Sequence, residues 1–169
     1  MYDTGGQPKR DQLYQGGFTE ITGASMFRKL TDRFYASPQI GTDEIAEAAE
    51  LGVKMIINNR PEGEADDQTP GDAIEARAIE AGIKYLAIPV SHAGFSQGQL
   101  DAMHQALEQA DGPVLAYCRS GTRSTLLWAM AEAKRGANPQ KIASLAAAAG
   151  YDISPVRPIV DMLAANSEA

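Results

Sequence analysis

Residue types suited to anion chemistry crowd one stretch, Cys118-Arg119-Ser120-Gly121-Thr122-Arg123-Ser124. Cys118 is the chain's single cysteine. An apolar run, Pro113-Val-Leu-Ala-Tyr117, leads into it, and a helical pattern starting near Ser124 or Thr125 follows. A thiol between a strand and a helix start meets unpaired backbone N–H groups and the positive end of the helix dipole, which favour the thiolate. Gly121 provides the bend that a concave cradle of successive N–H groups requires. Arg119 and Arg123 add fixed positive charge, and the planar guanidinium of Arg123 can clasp a tetrahedral oxyanion at two points. Ser120, Thr122 and Ser124 bring hydroxyl donors. The chemistry expected is a thiolate that attacks, or carries, a group beside a bound anion. A lone cysteine is often only a small buried hydrophobe. Two arginines, a glycine and three hydroxyls within six residues set this one apart.

The elements that must position this stretch alternate in type. Arg33–Ser37 reads as a short strand closed by the turn Ser37-Pro38, and Thr42 as the cap of a helix over 43–51 ended by Gly52. The apolar run 53–58 reads as a buried parallel strand. Asn59-Arg-Pro-Glu-Gly-Glu64 is its exit loop. Ligands of open α/β sheets sit outside the carboxyl ends of the strands, so Asn59, Arg60, Glu62 and Glu64 are candidates for the pocket rim; the same residues also make an ordinary solvated turn. Thr69-Pro70 opens a helix to about Ala81, and 83–90 is the next strand, with Ser91-His-Ala-Gly-Phe95 as its exit loop. Ser96-Gln-Gly-Gln99 is a capping box opening a helix to about Ala110. Beyond the cysteine loop, helices run to about Arg135, from Asn138-Pro139 to Ala149, and from Ser154-Pro155 to about Ala165. Such alternation predicts an α/β fold with a mainly parallel sheet flanked by helices. Residues 1–25 are polar and Gly-rich and read as a tail, and Met26 could itself be a start, so 26–169 forms a single domain.

Length, charge and cysteine count exclude several functions. A chain of 169 residues supports one domain with a real core. A formal charge of −7 argues against a general nucleic-acid or anionic-membrane binder. One cysteine allows neither an intrachain disulfide nor a thiolate metal cluster, and only His92 and His104 remain for zinc. No metal or cofactor is expected. No apolar run has the length of a membrane span, no signal-peptide core opens the chain, and a lone reactive thiol suits a reducing cytoplasm. Oligomeric state is not readable from the sequence.

Cys118 to Ser124 resembles the active-site loop of two families, the cysteine-dependent phosphatases of the tyrosine and dual-specificity type and the rhodanese-like sulfurtransferases. The phosphatase signature is His-Cys, five residues, Arg. Here Tyr117 replaces the His and only four residues separate Cys118 from Arg123, which is nearer to rhodanese. The wider context is similar to a narrower group, the bacterial phosphatase-like domain also found fused to a metallo-β-lactamase-like hydrolase. That likeness rests on Leu30–Gln39, Ile57–Glu64, Ile88–Val90, Tyr117–Trp128 and Ala149–Asp152. It implies a three-layer, protein tyrosine phosphatase-like α/β fold. It also implies hydrolysis of a phosphate monoester through a cysteinyl-phosphate, with Cys118 as nucleophile, Arg123 as the anion clasp, and Arg119, Ser120, Gly121, Thr122 and Ser124 as the cradle. In the dual-specificity pattern an Asp in the loop after the strand that precedes the cysteine-bearing one, here Val90–Gly94, protonates the leaving group. That loop here has none, which makes His92 the nearest substitute, with Glu62 and Glu64 in reserve. A sulfurtransferase carrying a persulfide on Cys118 needs no strong acid and is the alternative; a non-catalytic phosphate- or sulfate-binding module is the second. The implied partner is a phosphorylated or sulfur-donor substrate, either a small molecule or a protein.

Overall fold

The computed structural model describes residues 25–167. The expected tail therefore lies outside the described residues except for Ser25. Five strands form one sheet: β1 (Arg28–Thr31), β2 (Phe34–Ser37), β3 (Met55–Asn58), β4 (Lys84–Ala87) and β5 (Val114–Tyr117). Their order is β1-β2-β5-β3-β4, with β1 antiparallel to β2 and the other pairs parallel. The helices are α1 (Glu44–Glu50), α2 (Gly71–Glu80), α3 (Gln97–Gln109), α4 (Thr122–Lys134), α5 (Pro139–Ala148) and α6 (Arg157–Ser167), the last preceded by a 3-10 turn over Ser154–Val156.

The strand that delivers the cysteine is the central one. Every residue of β5 and β3 is buried, as expected of parallel strands covered on both faces. Alternation along β5 divides the core. Val114 and Ala116 face a large cluster with Trp128, Met103, Ile142 and Val160, while Leu115 and Tyr117 face a smaller one with Ile45, Ile56 and Ile74. α4 buries nine of its residues. It lies against the sheet, where Trp128 stacks on Phe34 with ring centroids 5.7 Å apart. Helix α4 is thus fixed along most of its length, and its first turn is held at one place above β5.

Register brings the strand exits level. Ser37 and Asn58 both pair with Tyr117. Pairing continues past the strands: Cys118 N–H donates to Ser37 O at 3.3 Å, Asn59 N–H to Tyr117 O at 2.8 Å and Gln39 N–H to Arg119 O at 3.2 Å. The loops after β2, β3 and β5 therefore leave the sheet side by side, at its carboxyl edge.

Some local expectations change. β1 was not foreseen; it is a short edge strand whose first two residues are exposed. Thr42 is not a cap, since Gly41 N–H donates instead to the Glu44 carboxylate at 2.6 Å. Thr69 gives no cap to α2 either. The helix begins at Gly71, whose N–H is held by both Glu62 carboxylate oxygens at 3.0 and 3.1 Å. The Ser96–Gln99 capping box and the Asn138 cap are present.

Candidate active site

The loop after β5 is shaped by Gly121, whose φ of 95° lies in the left-handed region that side chains disfavour. That residue caps α4, which starts at Thr122, two to three residues before the expected Ser124 or Thr125. The two hydroxyls thought to open the helix turn inward. Thr125 O–H bonds back to Gly121 O at 2.9 Å, and Ser124 O–H donates to Asn59 Oδ1 at 2.7 Å. A Cβ on Gly121 would lie 2.1 Å from Tyr151 Oη and 3.3 Å from the Ser37 carbonyl carbon, so the loop is packed on both sides.

Cys118 is buried at the base of this loop, and Gly121 N–H donates to its sulfur at 3.1 Å. Arg119, Ser120 and Thr122 are exposed above it. Ser120 and Thr122 bond to each other through their hydroxyls at 3.0 Å. Ser124, expected in the cradle, is fully buried with its hydroxyl committed to Asn59. That side chain joins α4 to the loop after β3.

Arg123 leans across the site to the neighbouring loop. Its Nη1 and Nη2 donate to the two oxygens of Glu64 at 2.8 and 2.9 Å, a fork-to-fork pair, and Nη1 also donates to Val90 O at 2.6 Å. Glu64 accepts a further bond from Arg60 Nε at 2.9 Å, and Arg60 Nη1 donates to Gln39 Oε1 at 2.9 Å. One carboxylate is therefore held between two guanidiniums, Arg60 of its own loop and Arg123 of the first turn of α4, with Gln39 of the loop after β2 bonded to Arg60. Hydrogen bonding from Arg123, aided by Arg60 and opposed by burial, brings Glu64 down to about 2. The same bond, reinforced by the nearby Cys118 sulfur, raises Arg123 above its ordinary value against the effect of burial. A carboxyl this acidic is ionised at neutral pH and has no proton to give, so Glu64 does not suit the reserve acid role.

The other rim candidates divide. Asn59 is fully buried and donates to Ile88 O at 2.8 Å. Arg60 is 4% exposed and supports Glu64 from behind. Glu62 is occupied with the start of α2. His92 sits in an exposed loop and forms no hydrogen bond among the described residues. Tyr117, in the place of the phosphatase His, points into the smaller core; burial raises its phenol, whose oxygen has no hydrogen-bond partner among the described residues. Two contributors escaped sequence reasoning. Gln39 holds Arg60 and donates its N–H to Arg119 O, and Tyr151 O–H donates to Ser120 O at 3.1 Å. The Ala149–Asp152 stretch flagged Tyr151 without giving it a task.

A cysteine-bearing loop at a strand-to-helix junction, with an arginine from the first helical turn, is similar to the arrangement of cysteine-dependent phosphatases. The family model for the beta-lactamase hydrolase-like protein, phosphatase-like domain, matches residues 26–135. The chain belongs to this family. It is 34% identical over 125 residues to the beta-lactamase hydrolase-like protein of Xylella fastidiosa, covering 73% of this chain and 29% of that one. The chain thus spans less than a third of the length of that curated relative. Among solved structures, a candidate phosphatase from Neisseria meningitidis Z2491 is 34% identical with a TM-score of 0.72, over 82% of this chain and 99% of that one. P. aeruginosa TpbA, in complex with phosphotyrosine, is 18% identical with a TM-score of 0.60, over 85% and 90% of the two chains. At that identity the likeness concerns the fold, which is protein tyrosine phosphatase-like: a five-stranded, mostly parallel sheet flanked by helices.

Proposed function

We propose that this chain hydrolyses phosphate monoesters through a covalent intermediate on Cys118. The observation that carries the reading is the state of Arg123. Glu64 and Val90 take three of its five N–H donors. The remaining two, on Nε and Nη2, share one edge of the guanidinium and form a second fork. Two equatorial phosphate oxygens fit that fork while Glu64 fixes the opposite edge. Arg119, Ser120 and Thr122 stand at the mouth of the loop; Gly121 N–H is taken by the Cys118 sulfur and Thr122 N–H by Ser120 Oγ at 3.3 Å, so the N–H groups assigned to the anion are those of Arg123 and Ser124 in the first turn of α4.

In the first step the Cys118 thiolate forms an S–P bond as the P–O bond to the leaving group breaks. The departing oxygen takes the electron pair and a proton, which we assign to His92. In the second step water attacks phosphorus and gives a proton back to His92, the S–P bond breaks with its electron pair on sulfur, and inorganic phosphate leaves with the thiolate restored. The Arg123 guanidinium and the N–H groups of the first turn of α4 stabilise the charge on the equatorial oxygens in both steps. Phenolic phosphates, whose leaving groups need little protonation, are the favoured substrates. The phosphotyrosine bound to TpbA is of this class.

One observation favours a second reading, the transfer of sulfane sulfur. Glu64 is held ionised at about 2 and Glu62 is engaged with α2, so neither carboxyl is placed to supply a proton. In that reaction the thiolate attacks the outer sulfur of a donor such as thiosulfate, an S–S bond forms on Cys118, and sulfite departs with the electron pair of the broken bond. No acid is needed. The partner in either case is an anionic substrate. A location in the cytoplasm is part of the proposal, and no described helix is long and apolar enough to cross a membrane.

Parallel assays separate the readings: aryl phosphate hydrolysis, and thiocyanate formation from thiosulfate and cyanide. The hydrolase reading expects phosphate release that disappears in Cys118→Ser while phosphate affinity persists. Thiocyanate formation alone would replace it with the sulfurtransferase. Neither activity, with phosphate still bound, would leave a binding module.

A further inference from the structure

The peptide unit between Ser120 and Gly121 is held at both ends. Its N–H, from Gly121, donates to Cys118 Sγ at 3.1 Å. Its C=O, from Ser120, accepts from Tyr151 O–H at 3.1 Å. The peptide is trans, so the two groups point in opposite directions from one rigid plane. Tyr151, the peptide and the sulfur therefore form one line of donors and acceptors. We propose that Tyr151 is a positioning residue for Cys118, acting through this peptide.

Tyr151 is itself well fixed. It lies just beyond α5, after Gly150, and its hydroxyl packs against Gly121 where no side chain would fit. Arg28 on β1 reaches over the ring, 5.6 Å from its centroid, and donates from Nη1 to Ala149 O at 3.1 Å. Burial raises the Tyr151 phenol above its ordinary value, so the hydroxyl remains a donor at neutral pH. The hydrogen bond on the carbonyl has two effects. It stops the plane from rotating, which keeps the N–H aimed at sulfur in a loop whose Ser120 and Thr122 are exposed. It also polarises the amide, because hydrogen bonds in series strengthen one another. Both effects act on the thiolate more than on the thiol, since an N–H bonds a charged sulfur more strongly.

The charged groups around the sulfur are otherwise fixed. Arg123 comes from α4 with Glu64 behind it, Arg119 lies in the loop, and Arg28 stands behind the tyrosine ring. None of them changes when the tyrosine hydroxyl is removed. Tyr151→Phe is therefore a clean perturbation that keeps the ring against Gly121.

The role rests on Cys118 being the nucleophile of the proposed reaction, but its test needs no turnover. The rate of Cys118 alkylation by iodoacetamide, a neutral reagent, is followed against pH in the full chain. Removing a serial bond that strengthens an N–H···S⁻ contact by 10–30% should slow alkylation on the low-pH limb about two- to threefold and displace the profile upward by roughly 0.3–0.5 pH unit. Tyr35→Phe, at a half-buried tyrosine on β2, serves as the control and should follow the wild type. Melting temperatures of the variants establish that each is folded. Coincident wild-type and Tyr151→Phe profiles would overturn the positioning role. A displaced profile in a protein that releases no phosphate from any ester would sustain it while removing the hydrolase reading.

Discussion

Glu64→Gln is the perturbation that tests the frame of the site. The substitution keeps the shape of the side chain and removes the charge that holds Arg60 and Arg123. In the wild type the two guanidiniums take the Glu64 carboxyl from 4.5 to about 2. At about 1.4 kcal/mol per pH unit that gap corresponds to at most about 3.5 kcal/mol of differential stabilisation. Solvent at the pocket mouth screens part of it, which leaves about 1–2 kcal/mol at neutral pH. The sign follows from a depressed folded-state value. The contribution is complete above the unfolded-state value near 4.5 and is lost as pH falls toward about 2, because the unfolded chain then binds a proton that the folded one resists. Urea denaturation of wild type and Glu64→Gln, run from neutral pH down to about pH 3, reads this directly, because titration of every other carboxyl largely cancels between the two proteins. The stability gap should be about 1–2 kcal/mol and flat from neutrality to near pH 5, then narrow steadily. Phosphate affinity should fall as well, since an Arg123 without its carboxylate no longer presents its free edge in one place. A gap that stays constant down to pH 3, or no gap at neutral pH, would refute the account of Glu64 as an ionised clamp.

Two further substitutions address the loop and the proton. Gly121→Ala combines a left-handed backbone with a Cβ placed against Tyr151 and Ser37, so it should cost more than about 2 kcal/mol and reduce phosphate binding at least about tenfold. Gly63→Ala, where φ is also positive but an added Cβ would meet nothing within 4 Å among the described residues beyond its chain neighbours, should cost only about 1 kcal/mol and leave binding intact. Equal effects in the two would remove the loop-packing argument. His92→Ala should slow alkyl phosphates by about 100-fold or more while leaving activated aryl phosphates within about threefold, because only the former need a strong push from an acid. A uniform loss across leaving groups would exclude His92 as the donor.

The sheet was legible because its central strands are long enough in apolar residues to announce themselves. Val114–Tyr117 and Met55–Asn58 are buried on both faces, which appears in the sequence as an unbroken run. Arg28–Thr31 escaped for the opposite reason. Only one of its four residues is buried, it lies at an edge, and its pairing with β2 supplies the order that its own pattern lacks. The helix after the cysteine begins earlier than its hydroxyl residues suggest, because its cap is a glycine. The chain uses Gly121 there, whose backbone conformation ends the loop and begins the helix in one residue. The hydroxyls at 124 and 125 were then free to serve as internal ties.

The proposed nucleophile Cys118 and its arginine are visible because the proposed chemistry is local: six consecutive residues contain both. The groups that aim them are not. Glu64 is 59 residues from Arg123 and Tyr151 is 31 residues from Ser120. A carboxylate in a Pro-Gly turn and a tyrosine after a helix are ordinary in isolation. They become partners only because the parallel order β2-β5-β3 sets three exits side by side and α5 returns the chain to the loop. The reserve acid illustrates the consequence. From the sequence, Glu64 is a carboxyl beside the pocket and so a proton donor in waiting. In the fold the two guanidiniums that make it useful as a clamp also remove its proton. One contact decides both properties, so the role of an acidic residue here follows from its partner and not from its place along the chain.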